Sequence, residues 1–416
     1  MSPSNNELVR VFGRIGLLSF GGPAAQISLM HQELVERRPW LDEQSYLRAL
    51  SLCMLLPGPE AMQLATYAGW RLRGVTGGLI AGGLFVLPGA IIIAALVGLY
   101  AAYGELPLVQ SAFLGVKATV IVIVLQALRK LSGKALVDSE HRVIAALGFL
   151  AIFLFNLPFP LIILAAATWG YVSSRGDAPS SVPPALILTK PLRTAAVWLT
   201  LWLGPLIILT LTGQKLLSDL GWFFARLAVV TFGGAYAVLA YMTQTVVDRY
   251  HWISTDQMID ALGLAETTPG PLILVTQFVA MLSGQISGGP AMAIAAGIVS
   301  LWATFVPCFL WIFLAAPYLE WISARPRLSS ALHGITAAVV GVILNLSVWF
   351  GMNVLFGSVS QRALGPTTLA LPDVQTINLA ALVLTIVAGI LIFRLKFGLA
   401  VTLVLTAVVG MIFHFI

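Results

Sequence analysis

The sequence predicts an all-α polytopic membrane protein of about thirteen transmembrane helices, built as two inverted-topology repeats with broken helices at the membrane midplane. Three observations predict it. The 416 residues are 59% hydrophobic and 10% charged, with a mean hydropathy of +0.94, where soluble proteins carry about 25% charged residues. Apolar stretches of spanning length follow one another with only short polar breaks. The second half of the chain restates the first at its rarest positions.

The apolar runs lie near 11–30, 46–70, 76–102, 108–128, 143–156, 158–173, 194–211, 222–244, 258–283, 289–316, 330–350, 377–393 and 398–416. The pieces 143–156 and 158–173 are short and separated by Asn156, Pro158 and Pro160, so they read equally as one bent span. Strand readings fail, because the runs are too long and lack period-two alternation. Backbone groups in lipid must be satisfied internally, which makes helices the default. No polar stretch is long enough for a separate catalytic head. Glu7 and Arg10 lead straight into a full apolar span, unlike a cleavable signal peptide. The formal net charge of +6 invites a nucleic-acid reading, but the charges sit in short loops between spans, as the positive-inside rule expects. Cys53 and Cys308 stand apart in apolar runs with no CxxC partner, so they read as buried small residues.

An offset of 212 positions places Arg14 on Arg226, Phe20-Gly21-Gly22 on Phe232-Gly233-Gly234, Met30 on Met242, Trp40 on Trp252 and Pro57-Gly58-Pro59 on Pro269-Gly270-Pro271. Beyond that an insertion lengthens the offset to 219, matching Pro88 with Pro307 and Gly115 with Gly334. Rare residue types holding one register are not a product of a Leu/Ala-rich background. The division is therefore 1–173 for the first repeat, 174–220 for a linker with one connecting helix at 194–211, and 221–416 for the second repeat. Each copy has about six spans, and the extra one makes the second copy enter from the opposite side, which puts a substrate site near the midplane. With the N-terminus in the cytoplasm most of the 23 Lys and Arg fall on the cytoplasmic side. Arg37, Arg38 and Arg48 break the rule, and a re-entrant first span, with a re-entrant Pro-Gly-Pro span to keep parity, would restore it.

Arg14, Lys117 and Arg226 have no loop to sit in. Charges at the membrane centre cost about 2.5–3.5 kcal/mol or more and usually serve a function; the plainer reading is snorkelling to a nearby interface. The position matching Lys117 is Thr336. Each copy also carries two breaks: Ser19-Phe20-Gly21-Gly22-Pro23 and Pro57-Gly58-Pro59 in the first, Thr231-Phe232-Gly233-Gly234 and Pro269-Gly270-Pro271 in the second. Proline removes an amide donor, and glycine admits angles that other residues resist. Each break starts a half-helix with unpaired N–H groups and partial positive charge, a ready anion site. Packing kinks are the alternative for any single break; paired positions favour function. Cations and helix N-termini imply an anion, and the hydroxyls of Ser19, Thr66, Thr231, Thr267, Thr268 and Thr276 suit an oxyanion. Glu60 follows the first Pro-Gly-Pro and Glu266 precedes the second by three residues. Either could carry a coupling proton, cap a half-helix or pair with a buried arginine. No HExxH, GxSxG or Walker A pattern occurs, and the five histidines offer no metal-spaced pair, so neither enzyme chemistry, nor a metal, nor a cofactor is expected.

These residues resemble the chromate ion transporter family in its long-chain, two-domain form. The likeness runs through Ser19-Phe20-Gly21-Gly22-Pro23, Trp40-Leu41, Pro57-Gly58-Pro59-Glu60, Gly69-Trp70-Arg71, Gly77-Gly78, Phe232-Gly233-Gly234, Trp252-Ile253 and Pro269-Gly270-Pro271. The resemblance implies efflux of chromate, and hence chromate resistance, across the bacterial inner membrane, driven by the proton gradient or by anion exchange. Sulfate, close to chromate in size and shape, stays open as substrate or counter-anion. The expected substrate site is Arg14, Ser19, Gly21, Gly22, Pro57, Gly58, Pro59, Lys117, Arg226, Thr231, Gly233, Gly234, Thr268, Pro269, Gly270 and Pro271, with Glu60 and Glu266 for protons. Ala235 stands where the first copy has Pro23, so the half-sites need not be equivalent. The expected partners are chromate or sulfate, protons or a counter-anion and the lipid bilayer, with no nucleic acid; a homodimer is compatible with the reading. Rival readings are a transporter or exchanger of sulfate or another oxyanion, a passive anion channel and a non-transporting membrane enzyme or scaffold.

Overall fold

A chain this poor in charge satisfies its backbone within helices, and it breaks them only where glycine and proline stand. The computed structural model describes residues 3–174, 191–232, 235–319, 325–364, 367–413 and 415. Helix α1 (Asn5–Leu18) opens with a capping box, in which Ser4 Oγ accepts from Glu7 N–H at 3.2 Å while Glu7 accepts from Ser4 N–H at 2.7 Å. It stops at Ser19. Gly21 and Gly22 then take φ of 84° and 77°, left-handed values that glycine alone adopts freely, and α2 (Gly22–His31) begins with Pro23 in its first turn. Helix α3 (Glu43–Leu55) is capped by Asp42, whose carboxylate accepts from Ser45 N–H at 2.8 Å, and ends before the first Pro-Gly-Pro.

Helix α4 (Glu60–Tyr103) is bent rather than straight: Arg73 and Gly74 leave helical angles. The two arms fold onto each other. A Cβ on Gly69 would stand 2.6 Å from Ala81 Cβ, and one on Gly78 would stand 3.2 Å from Thr66 O. Next come α5 (Pro107–Ala135), α6 (Ser139–Phe153) and α7 (Phe159–Ser173). The last two are separate helices that meet at Asn156, whose φ is 51°. Then follow α8 (Pro191–Leu211), α9 (Lys215–Val230), α10 (Ala235–Thr243), α11 (Thr255–Thr267), a 3₁₀ turn at Leu272–Leu274 and α12 (Val275–Ala315). Helix α12 folds back at Gly288–Gly289 as α4 does at Arg73–Gly74; a Cβ on Gly284 would lie 2.6 Å from Met292 O. The chain closes with α13 (Pro326–Leu355), α14 (Leu379–Gly389) and α15 (Leu399–Phe413).

The spans expected at 11–30, 46–70, 222–244 and 258–283 are therefore each interrupted, at the positions of the glycine and proline motifs. Among the described residues, five helical stretches are long and apolar enough to cross a bilayer unaided: Glu60–Tyr103, Pro107–Ala135, Pro191–Leu211, Leu272–Tyr318 and Pro326–Leu355. The protein is an all-α, multi-pass membrane protein in its spans, with one correction. Strands were not expected, yet Val359–Leu364 and Thr367–Pro372 pair antiparallel, Val359 opposite Pro372. Valine and threonine there favour strand pairing in a segment that no span claims.

The helices gather into two units that cut across the two halves of the sequence. The first takes Met1–Val97, Ser174–Ala235 and Thr268–Ser329; the second takes Gly98–Ser173, Tyr236–Thr267 and Ser330–Ile416. In the first unit α12 packs on α8 and α9, and Trp202 donates its indole N–H to Ala303 O at 3.0 Å. In the second, α5 packs on α14, α15 and α11 around Val122, Ile123, Ala388, Ile392 and Leu403. Small residues make these approaches close. Gly115 faces the backbone of Thr406–Ala407, and Gly410 that of Ser111; Gly334 faces Ala166, and Gly170 that of Ser330–Ala331. Ser111 and Ser330 are 219 apart in the chain, as are Gly115 and Gly334. Helix α15 thus rests on α5 as α7 rests on α13.

Candidate functional site

The four breaks lie in the first unit, and the described ones bond in exchanged pairs. Gly58 donates its N–H to Thr231 O at 2.8 Å, and Gly270 donates its N–H to Ser19 O at 2.9 Å. Ser19 and Thr231 are 212 apart, as are Gly58 and Gly270. The surroundings exchange in the same manner. A Cβ on Gly58 would lie 3.0 Å from Cys308 Sγ, whereas Gly270 lies beside Phe85 and Gly89 of α4; Gly89 and Cys308 are 219 apart. Gly58 and Gly270 have φ of 116° and 90°, which a residue with a Cβ adopts only under strain.

Two buried amides hold the breaks. Gln26, 1% exposed, donates through Nε2 to Gly270 O at 2.6 Å and to Ser19 O at 3.2 Å. Gln63, fully buried, donates to Pro57 O at 2.6 Å. The Oε1 atoms of both find no partner among the described residues. A cavity of about 10 Å³ lies here, lined by Pro23, Gln26, Pro59, Glu60, Ala61, Thr231, Pro271, Leu272 and Ile273. It is about one water in size, so a tetrahedral oxyanion enters only if the lining parts. The first turns of α2 and α4 and the 3₁₀ turn before α12 all reach it, and helix N-termini of this kind favour negative charge. Glu60, the first residue of α4, is the carboxylate among them.

The expected hydroxyls are engaged elsewhere. Ser19 Oγ donates to Ile15 O and Thr231 Oγ1 to Leu227 O, both at 2.6 Å; Thr66, Thr267 and Thr276 likewise donate to carbonyls of their own turns. Such bonds satisfy helix ends. Thr268, Pro269 and Pro271 are buried beside Gly270. Gly233 and Gly234 lie outside the described residues. Arg14 and Arg226 are exposed on α1 and α9, and Arg226 Nε donates to Trp222 O at 3.1 Å.

Lys117 belongs to the second unit. Its Nζ lies 2.7 Å from Asp256 Oδ1 and 3.6 Å from Asp260 Oδ1, so its charge is already met. Glu266 also belongs there, 9% exposed and accepting from Tyr236 OH at 2.8 Å. The sequence reading missed Gln26, Gln63, Asp256 and Asp260. A polar residue inside an apolar run is itself a signal, and Gln26 in 11–30 and Asp260 in 258–283 both gave it.

The family described as "Chromate transporter" matches residues 6–171 and 218–411. The chromate transport protein of Cupriavidus metallidurans is 33% identical over 342 residues, 81% of this chain and 80% of that protein. The probable chromate transport protein of Synechococcus elongatus is 32% identical over 84% of this chain and 85% of its own length. The chromate transport protein of Pseudomonas aeruginosa is 31% identical over 81% of this chain and 79% of its own. No solved structure matches the chain.

Proposed function

The chain belongs to the chromate transporter family, and from that premise we propose that it is a secondary transporter exporting chromate across the bacterial inner membrane, coupled to protons or to anion exchange. The observation that carries the reading is the exchanged pairing of breaks, Gly58 with Thr231 and Gly270 with Ser19. It leaves helix N-termini facing one cavity in a membrane protein, where amide dipoles hold an anion without a buried free cation. The same pairing supports two inverted repeats, 1–173 and 221–416, joined by 174–220, with about thirteen spans counted through the breaks. The growth of the offset has a structural counterpart. Three residues form a 3₁₀ turn before α12 where α4 starts directly after Pro59, and the helix bends at Arg73 and Gly288 are 215 apart.

Arg14 and Arg226, exposed at matched positions, draw the dianion toward the protein, and the amides beyond the breaks take it up. Glu60 shares the cavity, so the anion binds once that carboxylate is neutralised or turned away. Sulfate, of like shape, is the alternative substrate or counter-anion. Chromate flux into inside-out vesicles carrying the chain tests this, with an imposed proton gradient and unlabelled sulfate as competitor. Accumulation that depends on the gradient and exceeds empty vesicles supports coupled export. Equilibration without accumulation identifies a channel or a pure exchanger, and no flux removes chromate as substrate.

A further inference from the structure

Helix α11 sets Asp256 and Asp260 four residues apart, on one face. That face meets Lys117, which lies ten residues into α5, and Tyr100 near the end of α4. Tyr100 OH donates to Asp260 Oδ2 at 2.8 Å. Lys117 Nζ holds Asp256 Oδ1 at 2.7 Å and stands 3.6 Å from Asp260 Oδ1. The two acids differ in exposure: the Asp256 side chain is 75% exposed and that of Asp260 1%. Asp260 Oδ1 makes no hydrogen bond among the described residues. Helix α15, which also packs on α11, has no titratable residue, and the acid nearest Tyr100 along the chain, Glu105, is exposed.

The charges do not balance. One ammonium and two carboxylates leave one negative charge; the ammonium makes its close contact with the exposed Asp256 at 2.7 Å, and the buried Asp260 has only the Tyr100 hydroxyl in hydrogen-bond contact and Lys117 farther off at 3.6 Å. Burial of an uncompensated charge is strongly unfavourable. A proton on Asp260 removes the imbalance and leaves Lys117 paired with Asp256, the arrangement seen. When the proton leaves, Lys117 needs to move only from 3.6 Å to ion-pair contact at about 2.8 Å, and water takes over the exposed Asp256.

We infer that Asp260 is a proton-binding site of the transport cycle, and that Lys117 changes partner, from Asp256 to Asp260, when the proton leaves. The proton goes to water on the side of Asp256. A purely structural ion pair would need one acid, not two with a tyrosine donor on the second. The inference rests on the transport reading only for the phrase "transport cycle"; a proton on Asp260 can be tested without substrate.

The full chain in lipid nanodiscs is titrated and followed by infrared difference spectroscopy. The wild type is expected to show a protonated-carboxyl carbonyl band that is absent in Asp260→Asn and displaced in Tyr100→Phe, which removes the hydrogen bond to that carboxyl. A band unchanged in both variants overturns the proposal, whatever the substrate proves to be. In proteoliposomes, Asp260→Asn should lower gradient-driven chromate accumulation by about tenfold, within the usual range of coupling between two sites, while exchange of labelled for unlabelled chromate continues. Accumulation at the wild-type level in Asp260→Asn overturns it. Loss of accumulation and exchange together, with the infrared band also gone and the fold intact, leaves the proton site standing and refutes its separation from anion movement, which is part of the proposal.

Discussion

Replacing Gly89 with alanine adds one methyl group where α4 meets the second Pro-Gly-Pro break. A Cβ at that position overlaps the carbonyl oxygen of Pro269 and stands 2.6 Å from Leu274 Cδ1. The leucine end can turn aside, but the carbonyl is backbone, anchored by Gly270 N–H on Ser19 O. Overpacking of this kind costs about 1–3 kcal/mol. A second effect runs the other way, since alanine stabilises a helix over glycine by up to about 1 kcal/mol. Gly83 supplies the control: it sits in the same helix arm, and a Cβ there would meet nothing within 4 Å. Gly83→Ala receives the propensity gain alone. The difference between the two variants therefore isolates the contact with the break, about 1–3 kcal/mol, or roughly 5- to 150-fold in the unfolding equilibrium. Denaturant titration of the two purified variants in one detergent measures it, with chromate flux at matched expression alongside. Gly83→Ala should be as stable as wild type or more so and should transport; Gly89→Ala should be the weaker on both counts. Equal stability and equal flux would mean that the break does not rest on α4.

Gly58→Ala and Gly270→Ala each force a Cβ into positive φ, at 116° and 90°, costing of order 1–3 kcal/mol of strain; both should lose most transport at equal membrane abundance, and retention in either would detach that break from the site. Gln26→Leu removes donors to Gly270 O and Ser19 O and leaves Gly270 O buried, a loss of about 1–3 kcal/mol, visible as a lower midpoint in denaturant titration. Glu60→Gln removes a like charge from the wall of the cavity; a unit charge at 4 Å is worth about 1 kcal/mol even in water, so chromate should bind at least about fivefold more tightly at high pH. That gain should fade as pH falls, because a protonated glutamate already resembles glutamine, and a gain independent of pH would separate Glu60 from the site.

The breaks were legible because glycine and proline act through the backbone, so their effect follows from residue type alone. Positions 19–22, 57–59 and 269–271 end helices as their composition dictates. The bends at Arg73–Gly74 and Gly288–Gly289 fall in the gaps between the expected spans. What the halves do with each other was not legible. Periodicity shows that α5 has an apolar face, but not that the face meets α15 through Gly115, a contact set by a residue almost three hundred positions away. The hydroxyls misled for a related reason: a serine or threonine beside a break serves the broken helix end first, as Ser19 and Thr231 do. Lys117 was visible as an intramembrane charge, but its meaning depends on Asp256 and Asp260, which only the packing of α11 on α5 reveals.

Some residues match between the halves and others do not. The matched set includes Phe-Gly-Gly, Pro-Gly-Pro, Ser19 with Thr231, and Arg14 with Arg226. In the proposed function these supply amides, breaks and attraction for an anion. Pro23 against Ala235 is unmatched, the acids Glu36 and Asp248 are matched, and four titratable residues of the site and of the α5–α11 contact have no like counterpart. Glu60, the first residue of α4, has Val275, the first of α12, at its counterpart position, Lys117 has Thr336, Asp256 has Gln44, and Asp260 has Arg48. A carrier that opens to either side needs binding groups that serve both openings alike, which inverted copies provide. Direction comes from the driving gradient, and the groups that couple to it need not be matched between the halves. Glu60, Lys117 and Asp260 are among the residues that differ. Anion binding should therefore respond alike to matched changes in the two halves, as in Gly58→Ala and Gly270→Ala, whereas proton dependence should respond to changes in Glu60, Lys117 and Asp260 without an equivalent elsewhere in the chain.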